Sequence, residues 1–150
     1  MEDETTANPV PRGSETILVA EDNEALRTLL RIALERCGYT ILEAASGVEA
    51  LRLAELHREP IALLVSDLEM PRMGGLQLAT QLTTSRPGLK LLLLSGRDCE
   101  FDLHDSGVAF LRKPFRPSAL ASKVRQVLDP APAGRDARPA LRLVPVAATR

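Results

Sequence analysis

The stretch "IALLVSDLEMPRMGG", residues 61–75, decides how this chain folds. Ile61-Ala62-Leu63-Leu64-Val65 is a continuous apolar run, the pattern of a strand covered on both faces of a parallel sheet. The run closes with Ser66-Asp67, after which Pro71 and the Gly74-Gly75 pair force a turn. Asp67 therefore stands at the carboxyl end of a buried strand, where open α/β sheets bind their ligands. An aspartate opening a turn before Met-Pro is also ordinary turn chemistry, so its position alone leaves both readings open.

Working outward, further apolar runs occur at 16–20 (TILVA), 40–44 (TILEA), 89–94 (LKLLLL) and 108–111 (VAFL), and the central run extends over 61–66. Segments of helical periodicity separate them. Asn23 can cap the first helix, in which Leu26, Leu29, Leu30, Ala33 and Leu34 recur at three- and four-residue spacing before Gly38. Ser46 opens a second helix that Pro60 stops. Gly75 begins a third, stopped before Pro87, and Pro117 to Leu128 forms the last. Strict alternation with short links predicts parallel strands, right-handed crossovers and a doubly wound α/β sheet. No internal repeat is present.

The length of 150 residues suits one domain with a proper core. A formal net charge of -1 gives no overall pull toward nucleic acid or anionic lipid. No apolar run approaches the roughly 20 residues that span a bilayer, and Glu2, Asp3 and Glu4 are acidic where a secretory signal would be basic, which predicts a cytoplasmic location and no membrane contact. Cys37 and Cys99 are too few for a disulfide framework and too distant for a CxxC site. Residues 1–14 read as a disordered segment and 129–150, rich in Pro, Ala and Arg, as a flexible tail, leaving 15–128 as the domain.

Every strand end but the second carries polar groups: Glu21-Asp22 after the first, Asp67 after the third, Ser95 after the fourth and Lys113 after the fifth. If the strand order is the flavodoxin-like 2-1-3-4-5, Glu21, Asp22 and Asp67 share one cleft at the topological switch point. Three carboxylates crowd unfavourably, and a bound divalent cation is the usual relief. Oxygen-only ligands without a suitable His or Cys point to Mg²⁺. Lys113 and Ser95 then supply a cation and a hydroxyl for a phosphoryl group. Singly, each has a bland reading: Glu21-Asp22 as a solvated turn, Ser95 as a turn hydroxyl, Lys113 as a surface charge, Phe110 as core. Their joint placement at four strand ends favours the site. His57 and His104 read as surface residues, and Met70 and Met73 as packing around the loop.

With "AEDNEALR", "DLEMPRMGG", "LLLLSG" and "FLRKPF" in this order, residues 15–128 resemble the receiver domain of two-component response regulators. The resemblance implies that Asp67 accepts a phosphoryl group from a phosphohistidine. It also implies that Glu21, Asp22 and Asp67 hold Mg²⁺ with the backbone carbonyl of Glu69, and that Ser95 and Lys113 engage the phosphoryl oxygens. Phe110 falls where receivers have their switch aromatic. The implied donor is a histidine kinase or histidine phosphotransfer protein, and the implied role is a phosphoacceptor regulator that assists its own phosphorylation and dephosphorylation rather than an enzyme. "GVAFLRKPF" is most similar to receivers of hybrid sensor kinases. The 22 residues after Leu128 are too short for an output domain, so another protein must read the signal.

Two other classes compete. Aspartyl-phosphate chemistry also serves metal-dependent phosphatases, but their Asp-x-Asp is replaced here by Asp67-Leu68-Glu69, and no cap segment is present. A phosphorylation-independent platform would not need the intact set. One departure from the resemblance stands out: Ser95 and Lys113 are 18 positions apart, about four fewer than receivers usually have, or roughly one helical turn. The helix between the fourth and fifth strands is therefore expected to be shortened or absent, and the module monomeric.

Overall fold

The computed structural model describes residues 11–96 and 108–129. Five parallel strands, β1 (Thr16–Ala20), β2 (Thr40–Ala44), β3 (Leu63–Asp67), β4 (Lys90–Ser95) and β5 (Ala109–Arg112), form one sheet in the order β2-β1-β3-β4-β5. The described helices are α1 (Glu24–Arg36), α2 (Gly47–Leu56), α3 (Gly75–Ser85) and α4 (Pro117–Leu128). This is the expected flavodoxin-like doubly wound fold. The shortened or absent helix between β4 and β5 falls on residues 97–107, outside the described residues, as do residues 1–10 and the tail from residue 130.

The sheet is covered on both faces, which explains why its central strands are apolar throughout. Leu18 and Ala20 of β1, Leu64 of β3, and Leu91 and Leu93 of β4 point to one face and pack with Ala50 and Ala54 of α2 and Leu78, Ala79 and Leu82 of α3. The residues between them, Ile17, Val19, Leu63, Val65, Leu92 and Leu94, meet Leu30 and Leu34 of α1 and Leu120, Ala121 and Val124 of α4 on the other. Alternation along each strand thus serves two cores.

The first two helices start at side-chain caps. Asn23 Oδ1 accepts from Leu26 N–H (2.9 Å) and Ser46 Oγ from Glu49 N–H (3.1 Å). The last three strands start one or two residues later than their apolar runs, because each continues into polar residues, Asp67, Ser95 and Arg112, that still pair with the neighbouring strand.

At the opposite pole, where the strands begin, Arg125 of α4 gathers four partners. Its guanidinium donates to Glu15 (3.0 and 3.2 Å), the Tyr39 hydroxyl (3.2 Å), Arg12 O (3.1 Å) and Asp129 (2.9 Å). Gly13 N–H donates to Cys37 O (2.9 Å), so the hydrogen-bonded fold reaches into residues 1–14, the stretch whose composition predicts disorder. Gly38, at φ +103°, is the only residue type that fits this crossing, since a Cβ there would collide with Gly13 O. The Arg125 hydrogen bond holds the Glu15 carboxyl below its ordinary pKa. Arg125→Ala is expected to lower stability by about 1–2 kcal/mol, a value discounted for partial exposure. The Glu15 share is present above the usual carboxylate range and lost as pH falls through it, so denaturant melts at pH 7 and pH 3 should show the variant's deficit shrinking in acid.

Candidate metal and phosphoryl site

The carboxyl ends of β1, β3 and β5 bring their polar residues together as expected. Oxygens of Glu21, Asp22 and Asp67 lie within 4.8 Å of one another, with Glu21 and Asp67 buried and Asp22 exposed. Lys113, just past β5, reaches over the cluster, placing Nζ 3.3 Å from Asp67 Oδ2 and 3.7 Å from Glu21 Oε1. Ser95 is buried at the end of β4, and its carbonyl accepts from Lys113 N–H (2.8 Å), which fixes the start of the Lys113 segment.

Asp67 is only 6% exposed. Its Oδ1 accepts from Glu69 N–H (3.2 Å), while Leu68 N–H donates to Leu94 O (2.8 Å) and Gly75 N–H to Leu68 O (3.0 Å). The loop therefore folds back on itself, and a Cβ at Gly75 would lie 2.5 Å from Asp67 O. That is why a glycine must start α3. Between these points Met73 N–H bonds to Pro71 O (2.7 Å) across Arg72, whose φ is +70°. This i to i+2 bond makes a γ-turn, a strained conformation for a non-glycine residue. Met70 is buried in the core on the α2 and α3 side, and Met73 packs where a Cβ on Gly47 would stand.

Glu21 is 1% exposed and has an unusual environment. Its Oε2 accepts from Asn23 N–H (3.0 Å), whereas Oε1 is buried with no hydrogen-bond partner. Burial pushes its pKa up to about 7, the Asn23 N–H opposes this, and the charge of Asp67 adds to it. A buried carboxylate oxygen with no hydrogen bond, facing two more carboxylates and the Lys113 ammonium only at 3.7 Å, suits a cation. The oxygen-only donor set fits a divalent metal site, with Glu21, Asp22 and Asp67 as the residues that would hold it.

Phe110 of β5 is half-buried and packs against the core shared with α2 and α3. His57, read from sequence as a surface residue, is half-buried at the end of α2 with Nε2 shielded and unbonded. Arg86 reaches from the end of α3 to the carbonyls of Ala54 (3.0 Å), His57 and Glu59 (3.2 Å) and draws that end inward. His57 is not among the site's residues, and His104 lies outside the described residues. The side chain that sequence reading overlooked is Arg27, whose Nη1 donates to Glu21 O (2.9 Å). In sequence it is one of three arginines on an amphipathic helix, with Arg31 and Arg36, and nothing local marks it out.

Residues 17–125 match the family model described as response regulator receiver domain. The chain is 39% identical over 121 residues to the sensor kinase CckA of Brucella abortus (strain 2308), covering 78% of this chain and 13% of the kinase. It is 34% identical over 116 residues to the response regulator receiver protein CpdR of the same organism, covering 75% of this chain and 95% of that protein. Among solved structures, the response regulator TrrA of Thermotoga maritima, in complex with Mg²⁺-BeF, superposes with a TM-score of 0.66 at 30% identity, over 76% of this chain and 99% of that one.

Proposed function

Because the chain belongs to the response regulator receiver domain family of two-component signalling, we propose that Asp67 is its phosphoacceptor and that Glu21, Asp22 and Asp67 hold Mg²⁺ together with the backbone carbonyl of Glu69. The observation that carries this reading is the position of Asp67. It is a buried carboxylate at the end of β3, 3.3 Å from the Lys113 ammonium, inside a cluster that leaves Glu21 Oε1 without a hydrogen bond. In the proposed transfer an Asp67 oxygen forms a bond to phosphorus as the phosphorus–nitrogen bond of a phosphohistidine breaks. The electron pair stays on the imidazole nitrogen. Lys113 presents its ammonium to the incoming phosphoryl oxygens, and the Glu69 N–H holds the other face of the carboxylate. Bound at the site, Mg²⁺ supplies the positive charge that offsets three carboxylates and the phosphoryl group.

Ser95 then offers its hydroxyl to the phosphoryl group, and Phe110 repacks behind it, turning one charge event into a change of surface. The donor is a histidine kinase or histidine phosphotransfer protein, and the module acts as a monomer in the cytoplasm without binding nucleic acid or membrane. No described helix is long and apolar enough to cross a membrane. The same site assists later loss of the phosphoryl group to water.

The test is incubation of the full chain with a small phosphodonor and Mg²⁺, followed by intact mass measurement. Uptake of one phosphate that is released only slowly supports the regulator reading. Steady turnover of a phosphomonoester would support a phosphatase instead, and no uptake from either a small donor or a phosphorylated histidine phosphotransfer protein would defeat the proposal.

A further inference from the structure

Both main-chain polar groups of Glu21 are tied to the rest of the fold. Its N–H donates to Ala44 O at the end of β2 (3.1 Å), and its C=O accepts from Arg27 Nη1 (2.9 Å). Arg27 lies in the first turn of α1 with its side chain 18% exposed, and its Nε stands 3.3 Å from Glu43 Oε1. Glu43 is the residue before Ala44 on β2, paired in register with Val19 of β1. The contacts therefore close a ring from Glu21 to Ala44, along β2 to Glu43, across to Arg27 and back to Glu21.

The bond from Arg27 fixes the plane of the peptide that joins Glu21 to Asp22. Rotating that plane would break a charge-assisted hydrogen bond and would re-aim the Asp22 carboxylate, which is otherwise exposed. Arg31 shares the same acidic partner, with Nε 2.9 Å from Glu43 Oε2, and has no hydrogen bond to Glu21. The two arginines thus belong to one ion-pair network, but only one of them grips the acidic pair.

We infer that Arg27 is a positioning residue for the metal site: by holding the Glu21 carbonyl against Glu43 it presents the Glu21 and Asp22 carboxylates in a ligating arrangement before any cation arrives. The inference rests on the reading of Glu21, Asp22 and Asp67 as the metal-holding group. Its sign separates it from a plain charge effect. A nearby cation repels Mg²⁺, so deleting a mere charge would tighten metal binding. Deleting a group that orients the ligands weakens it, by about 10–100-fold for partners of this kind.

The experiment titrates the full chain with Mg²⁺ alone, by calorimetry and by thermal shift, in wild type, Arg27→Ala, Arg27→Lys and Arg31→Ala. Arg27→Ala is expected to raise the dissociation constant by about tenfold or more. Arg27→Lys, which can reach Glu21 O or Glu43 but not both, should fall between it and wild type. Arg31→Ala should bind as wild type does or slightly more tightly. In phosphodonor labelling, Arg27→Ala should need more Mg²⁺ for half-maximal uptake yet reach the same final extent, a split that general loss of structure would not produce. Unchanged or tighter binding in Arg27→Ala, or an equal loss in Arg31→Ala, overturns the inference. If Arg27→Ala does not fold, Arg27→Lys decides alone, and wild-type affinity in it overturns the inference. A wild-type chain with no Mg²⁺ response would overturn the metal-site reading and this inference with it, whereas a wild-type response left intact by the Arg27 variants overturns this inference only.

Discussion

Asp67→Asn is expected to abolish phosphate uptake from a small phosphodonor in the presence of Mg²⁺, while the chain remains folded. The amide is nearly isosteric with the carboxylate and can keep the Glu69 N–H bond through its oxygen, so the loop that returns through Gly75 has no reason to move. What it loses is the oxygen anion proposed as nucleophile and one member of the carboxylate cluster. Among the described residues no other carboxylate is placed to substitute. Glu21 is tied down by Asn23 N–H and faces the cluster from β1, and Asp22 is exposed to water. Intact mass measurement, followed by peptide mapping, decides the matter, because a phosphate retained in the variant on Ser66, Ser95 or Glu21 would remove Asp67 from its assigned role.

Metal-free protein should lose stability as pH rises from about 5 to 7, the reverse of most carboxylate effects. The Glu21 pKa in the folded chain is raised to about 7, against 4.5 as the ordinary value. Across that window the folded state binds a proton that the unfolded state has released. The favourable contribution of the protonated form is fully present below the unfolded value and is lost as pH passes the folded value. A shift of this size corresponds to about 3 kcal/mol. Mg²⁺ must displace that proton, so its stabilising effect should be small near pH 5.5 and large near pH 8. Glu21→Gln should flatten the metal-free pH profile and greatly reduce the Mg²⁺ response. Thermal melts at three pH values with and without Mg²⁺ test this directly, and a flat metal-free profile in wild type would show that Glu21 is ionised throughout.

The sheet was legible because each central strand serves two cores. Leu63, Leu64 and Val65 must all be apolar, and that requirement writes a run no surface helix would carry. Strand ends were less legible, since Asp67, Ser95 and Arg112 are polar yet still pair with their neighbours. The convergence of Glu21, Asp22, Asp67 and Lys113 could be reasoned from strand ends alone, because the parallel order brings all carboxyl ends to one side. Arg27 could not. In sequence it is one charge on an amphipathic helix, and its meaning depends on Glu43, a charge in mid-strand whose neighbour is known only once β1 and β2 are in register. The grip of Arg125 on Glu15 spans 110 residues and leaves no local pattern. The partial burial of His57 has a similar origin: the arginine that caps its helix follows another helix, 29 residues away.

Arg125 touches both the chain's entry into the described fold, at Arg12 and Glu15, and its exit, at Asp129. Entry and exit are thus riveted together at the pole where the strands begin, one sheet length from Asp67. A pull applied between residues 12 and 129 would load this guanidinium and its partners together with the Gly13 bond to Cys37 O. The carboxylate cluster lies at the other end of the sheet, away from both points.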